Sequence, residues 1–125
     1  MNRKILITAS LFGAVAVVLG AFGAHGLKNI IPADALAIWA KGVEYQFYHT
    51  FALLFLSQLK ENKWTKFAFG FFSFGILFFS GSLYLLATRS VTEIIFVNYV
   101  GPITPIGGLL LIIGWIMLLL SALKK

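Results

Sequence analysis

The side chains best suited to chemistry lie close together inside one apolar segment. Tyr45, Gln46 and His49 fall on neighbouring turns, and on a helical wheel they share a sector of about 100° with Gly42. Phe47 lies on the opposite side. Polar groups at membrane depth are costly and normally face other helices or a wet cavity. This face is therefore either an internal hydrogen-bond network that fixes helix positions, or a site for a ligand, a proton or an ion.

Two histidines, His25 and His49, raise the question of a metal or haem site. Neighbouring antiparallel helices could bring them together to bind a metal or pass protons. The sequence has no cysteine and only four carboxylates, so a closed metal site would be short of ligands. Glu44 follows Lys41 by three residues, which favours an interfacial ion pair over a proton-handling carboxylate. We expect no bound metal or cofactor.

No nucleophile with an adjacent base and acid can be recognised in the sequence. The glycines lie inside apolar segments and not in a phosphate-binding loop between a strand and a helix. We therefore expect no enzymatic activity. The candidates for a ligand-binding site or polar network are His25, Glu44, Tyr45, Gln46, Tyr48, His49, Arg89 and Thr104.

Four apolar segments carry these residues, at 5–24, 43–59, 67–87 and 105–123. Each has roughly the 17–25 residues that cross about 30 Å of hydrocarbon. Each must be helical, because an open strand would leave backbone polar groups unpaired in lipid. The chain is 60% apolar and 11% charged, which excludes an ordinary soluble domain. We predict an all-α membrane protein, a single four-transmembrane-helix bundle over residues 1–125.

The charged residues predict the orientation of this bundle. Two groups alternate in the gaps between the apolar segments, and the group richer in lysine and arginine should be cytoplasmic. Both termini are then inside. Because the net charge of +6 is spread over segment ends, we expect no nucleic-acid binding. The inner group comprises Arg3, Lys4, Lys60, Glu61, Lys63, Lys66, Lys124 and Lys125, and the outer group comprises Lys28, Asp34, Lys41, Glu44, Arg89 and Glu93.

Local signals predict further structure in the outer connections. Pro32 suits the first position of a helix, so residues 33–41 predict a short outer helix before the second span. Ser90 and Glu93 have capping-box spacing, which indicates a turn of helix after Arg89.

Two further predictions concern the last third of the chain. The apolar stretch 94–97 should lie on the membrane interface or dip into the bundle. Thr104 and Pro105 form an N-cap and first-position pair, which predicts the start of the fourth span.

Small residues recur on one face of the first span. They let another helix approach closely, either within one bundle or between copies of the chain. The predicted helix-packing residues are Gly13, Gly20, Ala24, Gly81, Gly107 and Gly108.

Three segments, 20–26, 45–49 and 101–108, resemble the YgdD/YwdK-type family of small bacterial inner-membrane proteins. This is a family built on a domain of unknown function. The resemblance implies four spans and a bacterial plasma membrane, and it implies no activity. The family's shared segments correspond here to His25, Tyr45, Gln46, Tyr48, His49, Thr104, Pro105, Gly107 and Gly108.

Three functions are compatible with these patterns. The first is a non-enzymatic bundle in the lipid bilayer that self-associates or packs with a larger membrane complex. The second is an oligomeric transporter or channel for a small solute, an ion or protons, with a path lined by Tyr45, Gln46, His49 and Arg89. The third is a binder of a lipid or quinone at the outer leaflet, because aromatic walls and a few polar groups suit an amphipathic ligand.

Overall fold

A computed structural model describes residues 1–92 and 97–124, without the side chain of Val97. Within these ranges the regular structure is entirely helical, which confirms the predicted class. The helices are α1 (Arg3–His25), α2 (Ala33–Leu56), α3 (Lys63–Ala87), α4 (Arg89–Thr92) and α5 (Val97–Leu123).

Three of these helices are long and apolar enough to cross a membrane: Arg3–His25, Lys63–Ala87 and Asn98–Leu123. The helix α2 has a similar length, 24 residues, but carries Lys41, Glu44, Gln46 and His49 along its course. Composition alone therefore marks three candidate spans.

The helices α1 and α2 are antiparallel and matched in height. At one end the backbone N–H of Asn2 donates to the carbonyl of Ser57 at 2.8 Å. Towards the other end the indole of Trp39 donates to the carbonyl of Leu19 at 2.9 Å. Since a helix rises about 1.5 Å per residue, α2 extends for about 36 Å along its neighbour.

The helix α3 lies beside α2 and packs along most of its length against α5. A capping box starts it: Asn62 accepts from the backbone N–H of Thr65 at 3.0 Å, and the Thr65 hydroxyl accepts from that of Asn62 at 2.9 Å. The four long helices share one apolar core, formed by Ile5, Ala9, Ala52, Leu53, Leu56, Ala68, Phe72, Ile76 and Leu111. A smaller cluster near the opposite end contains Leu27, Ile31, Trp39 and Ala87.

The predicted short helix before the second span is wrong as a separate element. Residues 33–41 are the first turns of α2, which continues without a break to Leu56. Pro32 takes the extended N-cap position, one residue before the first helical position that was predicted for it. Gly42 does not break the helix because it is buried against α3, where the ring of Tyr84 lies.

The predicted start of the fourth span at Thr104 and Pro105 is also wrong. The helix α5 begins at Val97 and contains both Pro102 and Pro105. Each proline removes one backbone hydrogen bond, which normally ends or kinks a helix. Here the tight packing of the following turns on α3 outweighs that local preference, and the Thr104 side chain contacts α3 and does not cap a helix.

The turn of helix predicted near Arg89 is present as α4 (Arg89–Thr92). Residues 93–96 lie outside the described part of the chain. Two predictions concern these residues and therefore lie outside the described part: the pairing of Ser90 with Glu93, and the placement of the apolar stretch 94–97.

Candidate functional site

Gln46 connects three helices. Its Nε2 donates to the carbonyl of Phe12 on α1 at 2.8 Å, and the hydroxyl of Tyr84 on α3 donates to its Oε1 at 2.7 Å. Its side chain is only 3% exposed. Buried polar groups are costly unless bonded, so these two contacts fix the relative positions of α1, α2 and α3.

His49 connects α2 to α5. The indole Nε1 of Trp115 donates to His49 Nε2 at 3.0 Å, and His49 Nδ1 lies 2.8 Å from the carbonyl of Tyr45. An indole nitrogen can only donate, so Nε2 must be the acceptor, and Nδ1 must carry the proton and donate to Tyr45. His49 is therefore neutral with both nitrogens bonded, and no lone pair remains for a metal.

Further polar contacts join the helices at other levels. The Ser80 hydroxyl donates to the carbonyl of Gly42 at 2.7 Å, and the Ser82 and Thr104 hydroxyls are 2.6 Å apart. These contacts tie α3 to α2 and to α5. The sequence patterns did not identify Ser80, Ser82, Tyr84 or Trp115 as members of this network, because their partners are distant in the chain. The one available signal was their polar atoms within otherwise apolar spans.

The eight candidate residues do not form one site. Tyr45, Gln46 and His49 lie together on α2, as predicted, and Thr104 bonds to α3. Tyr48 is exposed towards the lipid side. His25 and Arg89 are exposed, and Glu44 pairs with Lys41 at 3.3 Å on the exposed side of α2, in agreement with the expected ion pair.

The two histidines lie at different heights. His25 ends α1 two residues after Gly23, which packs against Trp39. Trp39 precedes His49 by ten residues in the same helix, which is about 15 Å along its axis. In the described part of the chain no three histidine, aspartate or glutamate side chains approach closely enough to hold a metal ion.

Three of the candidates line an open groove between α2 and α5, which we call the aromatic groove. Its volume is about 470 Å³. The rings of Tyr45 and Phe79 lie 4.9 Å apart, and those of His49 and Trp115 lie 5.8 Å apart. The groove thus offers flat apolar walls with two phenol groups at its edge. The lining residues are Tyr45, Tyr48, His49, Phe79, Gly108, Leu111, Ile112 and Trp115.

Most of the predicted packing glycines contact another helix. A Cβ built on Gly13 would lie 3.5 Å from Thr50, and one on Gly20 would lie 3.4 Å from Val43. The small-residue face of α1 therefore packs against α2 within the chain. Ala24 is exposed, and a Cβ on Gly81 would meet no atom within 4 Å, so these two positions have no packing neighbour of that kind.

The closest helix approach is between α3 and α5. A Cβ on Gly107 would overlap the backbone of Phe79 and lie 2.7 Å from the carbonyl carbon of Phe78. Gly108 is less crowded, with the Phe79 ring 3.6 Å away. Cβ atoms built on Gly75 and Gly114 would likewise overlap the side chains of Leu111 and Phe72.

A family model described as "Protein of unknown function (DUF423)" matches residues 19–108. The chain belongs to the DUF423 family. All three segments on which the family resemblance rests lie inside the matched range, and the resemblance to the YwdK-type family is confirmed. DUF423 residues 19–108 extend from the end of α1 to the Gly107–Gly108 contact, so they include Gln46, His49 and their partners on α2 and α3.

Full-length relatives of this DUF423 chain are named as membrane proteins. The UPF0382 membrane protein of Haemophilus influenzae is 44% identical, over 100% of this chain and 98% of the relative. The UPF0382 membrane protein YwdK of Bacillus subtilis is 42% identical, and one from Staphylococcus epidermidis is 41% identical, each over 98% of this chain. No solved structure matches. Together with the three candidate spans, these names identify a helical membrane protein.

Proposed function

We propose that the protein is a non-enzymatic, four-span bundle of the bacterial plasma membrane that acts by associating laterally with membrane helices. Its first partner is a second copy of the chain. The observation that carries this proposal is the internal bonding of Gln46 and His49. Gln46 and His49 have both of their polar atoms bonded within the chain, so the bundle offers its surroundings apolar lateral surfaces.

The height match between α1 and α2 supports a fourth span. The Asn2–Ser57 and Trp39–Leu19 contacts hold α2 beside α1 from Ser57 to Trp39. A helix that accompanies a spanning helix over this length crosses the same layer. Its polar residues Gln46 and His49 are buried against α1, α3 and α5, which offsets the cost of placing them in lipid.

Charge supports the orientation with both termini inside. The end where Asn2 meets Ser57 carries an excess of basic residues, and the opposite end carries a balanced set. Lysine and arginine are enriched on the cytoplasmic side of membrane proteins. The bacterial sources of the relatives support a plasma-membrane location.

The aromatic groove supports lateral association. It lies open between α2 and α5, and the small Gly108 at its side allows another helix to approach closely. A continuous polar path is less favoured, because Gln46 and His49 are already bonded and Arg89 lies apart on α4. We therefore rank association above transport.

Cysteine cross-linking tests this proposal directly, because the chain contains no cysteine. Ile112→Cys places one thiol in the aromatic groove, and Val17→Cys places one on the lipid side of α1; the two positions are 57% and 60% exposed. We expect oxidant-treated membranes to give a disulfide-linked dimer with Ile112→Cys and a monomer with Val17→Cys. Equal cross-linking of the two variants, or none with either, would refute association through this groove.

An amphipathic ligand is the second candidate for the aromatic groove. The Tyr45 and Tyr48 hydroxyls make no hydrogen bond to the described part of the chain, and they border a groove with aromatic walls. Phenol groups could donate to the carbonyls of a quinone. We expect saturable quenching of tryptophan fluorescence by a quinone in nanodiscs, lost in Gly108→Leu and kept in Gly81→Leu, where a Cβ meets no atom of the described residues within 4 Å. Linear quenching that is the same in both variants would indicate simple partitioning.

A further inference from the structure

A second groove lies on the exposed, lipid-facing surface of α3, and it shares no lining residue with the aromatic groove. Phe67, Phe71, Phe74 and Phe78 follow one another at spacings of four, three and four, which places them on one face of the helix. Gly70 leaves a gap in this row. The resulting slot has a volume of about 350 Å³ and is closed on its other side by Leu110 of α5. We call it the phenylalanine groove.

Basic residues stand at one end of the phenylalanine groove. Lys66 belongs to its lining, and Lys63 lies one turn earlier, with its Nζ 4.8 Å above the ring of Trp64. Lys66 Nζ is 3.6 Å from Glu61, but both side chains are more than half exposed, so this pair is weak. The same end of the bundle carries Arg3, Lys4, Lys60 and Lys124.

We propose that the phenylalanine groove binds one acyl chain of an anionic phospholipid, with its phosphate at Lys66 and Lys63. Lipid tails are as apolar as the groove, so burial in it does not by itself favour one lipid over another. The slot provides a fixed place for a chain, and the two lysines provide the preference for a negative headgroup. This proposal concerns a different surface from the aromatic groove and goes beyond lateral association.

Charge also argues against a second copy of the chain in the phenylalanine groove. Copies in one membrane share the same orientation, so a symmetric contact through this groove would bring the two sets of lysines together at the same height. Like charges at such a contact repel each other. An anionic lipid neutralises the lysines, and it fits a slot that is apolar along its length and basic at one end.

The test compares the lipids that stay bound when the full-length protein is released from nanodiscs of equal phosphatidylglycerol and phosphatidylcholine content. Native mass spectrometry gives, for each complex, both the number of bound lipids and the number of protein chains. We expect wild type to retain phosphatidylglycerol preferentially, by about fivefold per contributing lysine at low salt. Lys63→Gln/Lys66→Gln should reduce this preference several-fold, whereas Lys4→Gln/Lys124→Gln, which removes the same charge from the same end, should keep most of it.

A pair of glycine variants tests the slot itself. A Cβ on Gly70 or on Gly81 meets no atom of the described residues within 4 Å, so a side chain added at either position starts in open space. Gly70→Leu fills the phenylalanine groove, whereas Gly81→Leu fills a groove of the same volume, about 350 Å³, between α1 and α3. We expect Gly70→Leu to lose the selectively bound lipid and Gly81→Leu to retain it.

Three results would overturn the proposal. The first is equal retention of the two lipids by wild type. The second is unchanged selectivity in both Gly70→Leu and Lys63→Gln/Lys66→Gln. The third is a lipid-free dimer that Gly70→Leu dissociates, which would show that a second copy occupies the groove. Lys63 and Lys66 are both exposed, so the lysine variant leaves the buried core unchanged and decides the question even if Gly70→Leu folds poorly.

Discussion

At the scale of single residues, the pairing of His49 with Trp115 shows how a polar side chain in a span can be fully occupied by structure. The 3.0 Å bond from the indole fixes the tautomer of the imidazole, and its other nitrogen bonds to Tyr45. The ring also packs beside Phe72. A metal ligand needs a free lone pair, and a proton carrier needs partners that exchange protons; the Trp115 indole and the Tyr45 carbonyl provide neither to His49.

We expect a measurable coupling between His49 and Trp115. Trp115→Phe and His49→Phe should each destabilise the bundle, and the double variant should lose less than the sum of the two. Hydrogen bonds between membrane helices contribute about 0.6 kcal/mol and up to about 1.7 kcal/mol, which sets the expected coupling. Unfolding in mixed detergent micelles, followed by circular dichroism, gives the four free energies.

The control for this double-mutant cycle combines His49→Phe with Trp64→Phe, since Trp64 lies at the start of α3, away from His49. That pair should be additive within about 0.5 kcal/mol. If the destabilisations of the His49 and Trp115 variants were also additive within this limit, the result would contradict the hydrogen bond.

The contact between Gln46 and Tyr84 predicts that the effect of Tyr84→Phe on the stability of the bundle changes sign when Gln46 is replaced. In wild type, Tyr84→Phe leaves Gln46 Oε1 without its donor and should destabilise the bundle. In a Gln46→Leu background the Tyr84 hydroxyl has lost this acceptor, so Tyr84→Phe should stabilise. An unpaired buried polar group costs about 1–3 kcal/mol, which is the expected size of the loss in Gln46→Leu. Unfolding free energies of the four proteins measure this, and an effect of the same sign in both backgrounds would contradict it.

The sequence was sufficient to place Tyr45, Gln46 and His49 on one polar face, because that face depends only on the helical repeat. It was not sufficient to find Tyr84 or Trp115 as their partners. Those contacts depend on how α3 and α5 are rotated and shifted against α2, and no local pattern encodes this. The exposure of His25 and Arg89, outside this network, could not be predicted for the same reason.

At the scale of elements, α5 shows tertiary packing outweighing local preference. Thr104 and Pro105 have the residue types of a helix start, yet the helix begins at Val97 and continues through both prolines. The turns that follow make the closest backbone contact of the described residues, where Gly107 meets α3. Apolar length predicted the later part of this helix correctly, and only its start was misplaced.

We expect Gly107→Ala to destabilise the bundle, because its methyl group would overlap the backbone of Phe78 and Phe79. Overpacking of this kind costs about 1–3 kcal/mol. Gly81→Ala, in the interior of α3, is the matched control. A Cβ there meets no atom of the described residues within 4 Å, so the better helix propensity of alanine should make it neutral or stabilising by up to about 1 kcal/mol. Melting temperatures of the two variants in detergent check this, and equal shifts would contradict the close approach.

At the scale of the whole molecule, the central question is whether α2 crosses the membrane. Its composition is too polar for it to be selected as a span, whereas its contacts hold it beside α1 from Ser57 to Trp39. Of the polar residues that lower its hydropathy, Gln46 and His49 bond to α1, α3 and α5, and Lys41 and Glu44 pair with each other on its exposed side. A helix can be polar by composition and still be apolar towards lipid, provided that its polar face is covered by other helices.

Labelling of single cysteines distinguishes four spans from three. Asn29→Cys lies in the connection before α2 and Gln58→Cys in the connection after it; both positions are exposed, and neither change alters the charge. Four spans place these residues on opposite sides, so a membrane-impermeant maleimide should label Asn29→Cys in intact cells and Gln58→Cys only after permeabilisation. Ser90→Cys, beyond α3, should behave like Asn29→Cys. If α2 did not cross, Asn29→Cys and Gln58→Cys would label alike and Ser90→Cys would differ from both, and the proposed topology would be wrong.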